Sequence, residues 1–264
     1  MKYFKSEYQK NFNKQTYILL AIFYIFYVGI LELFNSLSKS DVKMNAFGFT
    51  YSIVTSFIGI LLIFSIVTTV SVFSVDYKQH TWKNILCTGS NKNSIQIAKL
   101  LYSFVKCIFY LLITNVVSFI YGLIRYGFKG NEKIENITFS GAIKDSALRF
   151  CVKYNIGYIA IIIFFIAFIS LLAELFKGGR NTMLIAIIVY IASINGGAIL
   201  LSLSELRKGL RFLKYLPFTY CHPGLIVSVR GDLIRSIVVL LGYSAILIAI
   251  EIIIFRRRDV ATSK

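Results

Sequence analysis

The sequence has few charged residues, two histidines and no phosphate-binding loop. Only 16% of its 264 residues are charged, whereas a soluble globular protein has roughly a quarter of its residues charged. A membrane-embedded enzyme needs clustered histidine, acidic or cysteine side chains, but His80 and His222 are predicted on opposite sides of a membrane. No G-x-x-x-x-G-K-[S/T] motif occurs. We therefore expect neither a catalytic nor a nucleotide-binding site in this chain.

Cysteine is also scarce, and its four positions form no metal-binding pattern. They are Cys87, Cys107, Cys151 and Cys221, and none belongs to a C-x-x-C pair. Cys107 lies in an apolar block, where a free thiol behaves as a small buried hydrophobe. Cys151 and Cys221 are both predicted on the outer side, so a disulfide between them is an open alternative. We predict no bound metal or cofactor.

Long apolar blocks dominate the chain, which is 57% hydrophobic with a mean hydropathy of +0.71. Crossing the hydrocarbon layer as a helix takes about 20 apolar residues, whereas strands of a membrane barrel have about 10 alternating residues. We therefore predict an all-α integral membrane protein with a single transmembrane domain over residues 1–264. The six predicted spans are residues 16–34, 51–75, 98–124, 154–175, 181–204 and 233–255.

The net charge of +17 fits a membrane protein better than a nucleic-acid-binding protein. The basic residues flank the apolar blocks, where anionic headgroups and the positive-inside bias account for them, so we expect no nucleic-acid partner. Four lysines precede the first span, and only Lys39 and Lys43 follow it. Both termini are therefore predicted in the cytoplasm. The high isoleucine, lysine and asparagine content is typical of an AT-rich bacterial genome and favours a bacterial cell membrane.

Two segments outside the spans have an amphipathic pattern. Phe4, Tyr8 and Phe12 recur at i, i+4 and i+8, which predicts a helix over residues 1–15 lying in the membrane interface. The alternative for this segment is a disordered basic tail. In residues 205–230, leucines alternate with basic residues before Pro217. This pattern predicts an amphipathic or re-entrant segment on the outer side.

The segment over residues 76–97, between spans 2 and 3, has the pattern of a short cytoplasmic helix. Asp76 is favourable at the positive end of the helix dipole, and Gly89 supplies a stop. Trp82, Ile85 and Leu86 share one apolar face. Because tryptophan is common at membrane–water borders, the residues alone are equally consistent with a simple interfacial anchor.

This segment resembles the coupling-helix region in permease subunits of type-2 ATP-binding-cassette (ABC) exporters. It is especially similar to the subgroup associated with lantibiotic immunity and antimicrobial-peptide export. That subgroup typically has an acidic residue, a small residue, a tryptophan–basic or polar–x–x–leucine run, a serine-containing turn and a lysine opening the third span. The matching positions are Asp76, Thr81, Trp82, Lys83, Leu86, Ser90 and Lys99. His80 and Gly89 depart from the pattern, in which glycine and proline are common at these positions.

The resemblance implies that this segment docks on a separate ABC ATPase, which binds ATP and Mg. The residues expected to couple to the ATPase are Asp76, His80, Thr81, Trp82, Lys83, Ile85 and Leu86. Six spans would form half a pathway, so a homodimer or a sister permease is expected. The implied function is export of an amphipathic peptide, such as a lantibiotic, bacteriocin or other antimicrobial peptide. The alternatives are a drug, lipid-linked or ion substrate, and a non-ABC channel or secondary transporter.

Charged and polar residues inside the spans are candidate functional residues because they are costly there. Lys106 is predicted to pair with Glu174 or Glu251, or else to extend to the inner headgroups. Glu32 faces either the outer headgroups or a cationic peptide. Asn195, which precedes two glycines in the fifth span, is a second candidate for facing the substrate.

Overall fold

The computed structural model describes residues 2–37, 46–78, 92–128, 146–176, 179–206, 208–221, 224, 226 and 233–257. These residues are almost entirely helical. The long helices are α1 (Lys2–Asn11), α2 (Lys14–Leu37), α3 (Ala46–Lys78), α4 (Lys92–Tyr126), α5 (Ala147–Leu175), α6 (Arg180–Leu206) and α7 (Leu233–Arg257). Two 3₁₀ segments, Lys208–Tyr215 and Pro217–Tyr220, connect α6 towards α7.

Among the described residues, six helices are long and apolar enough to cross a membrane. They are α2 to α7, so the prediction of an all-α protein with six spans is confirmed. Three helices start five to seven residues earlier than the predicted spans, at Ala46, Lys92 and Ala147. The apolar pattern marks only the hydrocarbon-depth part of a helix, whereas backbone hydrogen bonding continues through the flanking polar turns.

Contacts divide the chain into two units. The first contains residues 1–12, 62–107 and 157–264, and the second contains residues 13–61 and 108–156. The single transmembrane domain over residues 1–264 stays a prediction.

In the second unit, polar and aromatic side chains join neighbouring helices. The hydroxyls of Tyr24 and Ser118 share a buried hydrogen bond between α2 and α4. The ring of Tyr24 meets Phe57 of α3 edge-on, with centroids 4.6 Å apart. The amides of Asn115 on α4 and Asn155 on α5 are hydrogen-bonded to each other. Each helix in this unit is thus fixed to a neighbour by at least one directional contact.

In the first unit, α1 packs on the other helices through its aromatic residues. Phe4 packs against the buried cluster of Val72, Phe73, Tyr102 and Ala173. The rings of Phe4 and Tyr8 each lie 6.3 Å from that of Tyr102. Residues 2–11 are therefore helical as predicted, and the disordered-tail alternative is wrong.

The apolar stripe of α1 contacts the protein and is also partly exposed. The rings of Phe4 and Tyr8 lie against Tyr102. Tyr8 and Phe12 stack on each other and are each 42% exposed, so the expected lipid contact of the stripe stays a prediction. The position of α1 at a membrane surface stays a prediction.

The segment after α6 has the features of a re-entrant structure. The ring of Phe218 lies edge-on to Phe164 and Phe168, with centroids 5.8 and 6.2 Å away. Both partners belong to the central part of the candidate span Leu148–Leu175. Tyr220 is fully buried and donates a hydrogen bond to the backbone carbonyl of Lys214 at 2.7 Å. Of the two alternatives for this segment, the contacts favour the re-entrant one.

Cys151 and Cys221 are both free thiols, so the disulfide alternative is wrong. Cys221 is fully buried and donates to the carbonyl of Pro217 at 3.6 Å. Burial raises the pKa of the Cys221 thiol to about 12, although a hydrogen bond with Ser193 partly opposes this shift. Cys151 lies beside Asn155 on its own helix, and the amide of Asn155 donates to its sulfur at 3.6 Å.

Candidate coupling site

Five polar residues of the first unit form a buried group, here called the polar cluster. They are Gln96 and Lys99 on α4, Ser170 and Glu174 on α5, and Glu251 on α7, and none has measurable solvent exposure. The group joins three spans. The cluster residues lie near the start of α4, near the end of α5 and near the end of α7.

Gln96 connects the two carboxylates of the polar cluster. Its Nε2 donates one hydrogen bond to Glu251 Oε1 and another to Glu174 Oε1 at 3.3 Å. The second oxygen of Glu251 accepts a hydrogen bond from Ser170 Oγ at 2.6 Å. Side chains from α4 and α5 therefore hold Glu251 from two directions.

Lys99 supplies the positive charge of the polar cluster. It interacts electrostatically with Glu251, and its Nζ lies 5.8 Å from the ring centroid of Phe73. A buried charge is stable only when it is paired and hydrogen-bonded. For Glu251, the charge of Lys99 and the donors of Gln96 and Ser170 together supply this stabilisation.

Helical spacing explains how these side chains come together. Gln96 and Lys99 are three residues apart on α4, and Ser170 and Glu174 are four residues apart on α5, so each pair shares one helix face. Both faces also carry buried apolar neighbours, since Ala173 and Tyr102 belong to one hydrophobic cluster. Apolar packing thus brings the two polar pairs into register.

The structure changes the expected partner of the acidic residues. It brings Glu174 and Glu251 together, but the cation it places with them is Lys99 rather than Lys106. The Nζ of Lys106 lies 6.0 Å from the ring centroid of Tyr102. Lys106 is seven residues further along α4, a rise of about 10 Å, which removes it from the level of the carboxylates.

Glu32 and Asn195 have partners within the chain. Tyr126 Oη donates to both oxygens of Glu32, at 3.0 and 3.1 Å, and Arg125 Nε lies 3.4 Å from Oε1. These contacts join α2 to the end of α4. Asn195 is exposed and donates to the carbonyl of Ile191 at 3.0 Å. Contact of either residue with a substrate stays a prediction.

The predicted coupling residues mostly fall outside the described part of the chain. His80, Thr81, Trp82, Lys83, Ile85 and Leu86 lie in residues 79–91, which are not described. Asp76 belongs to the last turn of α3, at the negative end of that helix dipole, so its predicted place at the start of a helix is wrong. Docking of these residues on an ATPase therefore stays a prediction. The structure does show which helices this segment connects. Helix α3 ends at Lys78 before it, and helix α4 begins at Lys92 after it.

The polar cluster contains residues that the sequence interpretation did not select. Gln96 and Ser170 carry no formal charge, and each looks like an ordinary polar residue near a span end. In the sequence, Lys99 matches only the lysine that opens the third span. The available signal was the i, i+3 pair on α4 and the i, i+4 pair on α5, each facing an otherwise apolar helix side.

A comparison with protein-family models identifies the class of the chain. Residues 3–194 match the model described as ABC-2 family transporter protein, which is more than half of the chain. The chain belongs to this family. The searches of curated proteins and of solved structures found no match.

Membership in the ABC-2 family defines the general role of the chain in transport. It is a multi-pass membrane subunit of an ABC transporter, and its partner is a separate ABC ATPase subunit. The matched residues extend from α1 into α6 and include all the polar cluster except Glu251.

Proposed function

We propose that this ABC-2 permease exports an amphipathic peptide, of the lantibiotic, bacteriocin or other antimicrobial type, from a bacterial cell membrane. The family match over residues 3–194 is the observation that carries the transport role. The similarity of residues 76–99 to lantibiotic-immunity permeases supports the peptide as substrate. ATP and Mg are bound by the partner ATPase.

The exposed faces of the spans support a substrate that arrives through the lipid. Large apolar residues are exposed on α2, α6 and α7, for example Phe26 at 68%, Ile188 at 62% and Ile234 at 76%. An amphipathic peptide inserts its apolar face to the boundary of the acyl chains. Such a peptide can reach these surfaces laterally, without a large polar cavity in the protein.

Residues 76–86 provide the connection to the ATPase in this proposal. With both termini in the cytoplasm, the segment between α3 and α4 lies on the cytoplasmic side, where the ATPase binds. The apolar face of Trp82, Ile85 and Leu86 fills a groove on the ATPase, and Lys83 lies at its edge. Two permease subunits, identical or sister chains, complete the pathway.

The coupling assignment is tested by co-purification and ATP hydrolysis. The tagged chain is purified with its ATPase, as wild type and as the Trp82→Ala and Lys83→Glu variants. We expect both variants to lose bound ATPase or ATP-dependent transport. Arg211→Glu makes the same charge change on the 3₁₀ segment Lys208–Tyr215, which is predicted on the outer side, and should leave both unchanged. Normal association and transport in both coupling variants would refute the assignment.

The substrate class is tested with a defined peptide. Cells that produce the permease and its ATPase are exposed to nisin, and peptide is measured in the membrane and in the medium. We expect expulsion of nisin into the medium, abolished when the ATPase cannot hydrolyse ATP. An unchanged membrane content of nisin and of related cationic peptides, together with ATP-dependent efflux of a lipophilic dye, would replace the peptide with a drug substrate.

A further inference from the structure

We propose that Gln96 is a positioning residue that transmits displacement of the start of α4 to α5 and α7. This inference rests on the coupling function proposed for residues 76–86 and identifies the contacts through which the spans would respond. The observation that carries it is one side chain on α4 with hydrogen bonds to carboxylates on two other spans.

The position of Gln96 on α4 makes it suitable for this role. Helix α4 begins at Lys92, directly after residues 79–91, and Gln96 follows four residues later. This separation is about 6 Å along a helix that rises 1.5 Å per residue. Because a continuous helix is stiff over one turn, displacement of its start moves Gln96 by nearly the same amount.

The contacts of Gln96 then require α5 and α7 to follow. Gln96, Glu174 and Glu251 are all fully buried, so no solvent is at hand to replace a broken hydrogen bond. Leaving a buried carboxylate without its donor is more costly than leaving an exposed one. Ser170 holds the second oxygen of Glu251 from α5. Moving α4 alone would break these bonds, whereas moving the three helix ends together preserves them.

The alternative is that the polar cluster only holds the three helices together. Both roles predict that removing the amide lowers stability, so stability does not separate them. They differ in where an ATP-dependent change appears. A positioning role requires the change at α5 and α7 to depend on Gln96, whereas a purely structural role does not.

Hydrogen–deuterium exchange of the purified permease–ATPase complex in nanodiscs tests this difference. Exchange is compared without nucleotide and with ATP, Mg and vanadate, in peptides from the start of α4 and in peptides containing Glu174 or Glu251. In the wild type we expect ATP-dependent changes in all three. In Gln96→Met we expect the change at the start of α4 to remain and the other two to fall about tenfold, the effect of one charge-assisted hydrogen bond.

Ser103→Ala is the matched control. Ser103 is also buried on α4, and its Oγ has no hydrogen-bond partner among the described residues, so this variant should behave as wild type. If Gln96→Met does not assemble, Gln96→Asn keeps an amide that is one methylene too short to reach both carboxylates. It should show the same selective loss.

Two results would overturn the inference. One is a wild-type complex whose Glu174 and Glu251 peptides do not respond to ATP. The other is a normal response of these peptides in Gln96→Met or Gln96→Asn. Failure of the proposed coupling function is a different result, because the Trp82→Ala and Lys83→Glu variants would then keep both their bound ATPase and ATP-dependent transport.

Discussion

The amide pair between α4 and α5 offers a test of the fold that does not depend on any substrate. Asn115 Nδ2 donates to Asn155 Oδ1 at 3.0 Å, and Asn155 Nδ2 donates to Asn115 Oδ1 at 3.2 Å. Each amide also donates to the carbonyl four residues earlier in its own helix, Leu111 and Cys151 respectively. Both side chains are half-buried within candidate spans. Replacing one asparagine with leucine removes two interhelical hydrogen bonds at once.

The expected cost follows from these contacts. Interhelical hydrogen bonds in membrane proteins contribute about 0.6 kcal/mol each on average, so the two lost bonds cost about 1.2 kcal/mol. The remaining amide also keeps a half-buried carbonyl oxygen without a donor, which adds up to ~1 kcal/mol. We expect Asn115→Leu or Asn155→Leu to lower the free energy of unfolding by about 1–2 kcal/mol. The double variant leaves no orphaned group and should lose only about 1 kcal/mol, less than the sum of the single effects.

Unfolding by SDS titration in mixed micelles, followed by circular dichroism, measures these free energies. Asn195→Leu is the control, because Asn195 is exposed and its one hydrogen bond within the described part of the chain goes to the carbonyl of Ile191 on its own helix. Its effect should stay within about 0.5 kcal/mol. The reasoning is refuted if the double variant loses as much as both single variants combined, or if Asn195→Leu costs as much as Asn115→Leu.

Three further predictions concern single positions. A Cβ at Gly122 would lie 3.0 Å from the backbone oxygen of Ala46, whereas a Cβ at Gly29 would meet no described atom within 4 Å. In the same titration, Gly122→Ala should therefore be less stable than Gly29→Ala by about 1–2 kcal/mol. Tyr126→Phe removes the hydroxyl that donates to both oxygens of Glu32, and should cost about 1–2 kcal/mol by the same measurement. Cys221 is fully buried with a raised pKa, so mass spectrometry should find it unmodified by maleimide at pH 7 until the protein is unfolded.

The spans could be predicted from the sequence because membrane insertion depends on a simple local property. A run of about 20 apolar residues in a bilayer must satisfy its backbone hydrogen bonds within the segment, which leaves a helix as its favoured structure. The starts of α3, α4 and α5 could not be predicted equally well. Lys92 and Ala147 lie in polar sequence, where nothing in the hydropathy separates a helix turn from a loop.

The polar cluster could be predicted only in part, because pairing between helices depends on rotation about each helix axis. The sequence identified Glu174 and Glu251 as costly charges that need a partner. Lys99 and Lys106 are seven residues apart on α4 and share one helix face, so their depth decides between them. Lys106 is deeper in the apolar block, beside Tyr102 and about 10 Å along the helix from Lys99. Gln96 was missed since an uncharged amide gives no comparable signal.

The location of the polar contacts has a consequence for how such a permease can move. Lipid tails are as apolar as the side chains between helices, so in a bilayer the hydrophobic effect alone favours no single helix arrangement. Directional contacts must therefore specify which helix ends stay together. Gln96 and Ser170 supply such contacts at the ends of α4, α5 and α7. These three helix ends are expected to move together, because breaking buried hydrogen bonds costs more than sliding apolar surfaces past one another.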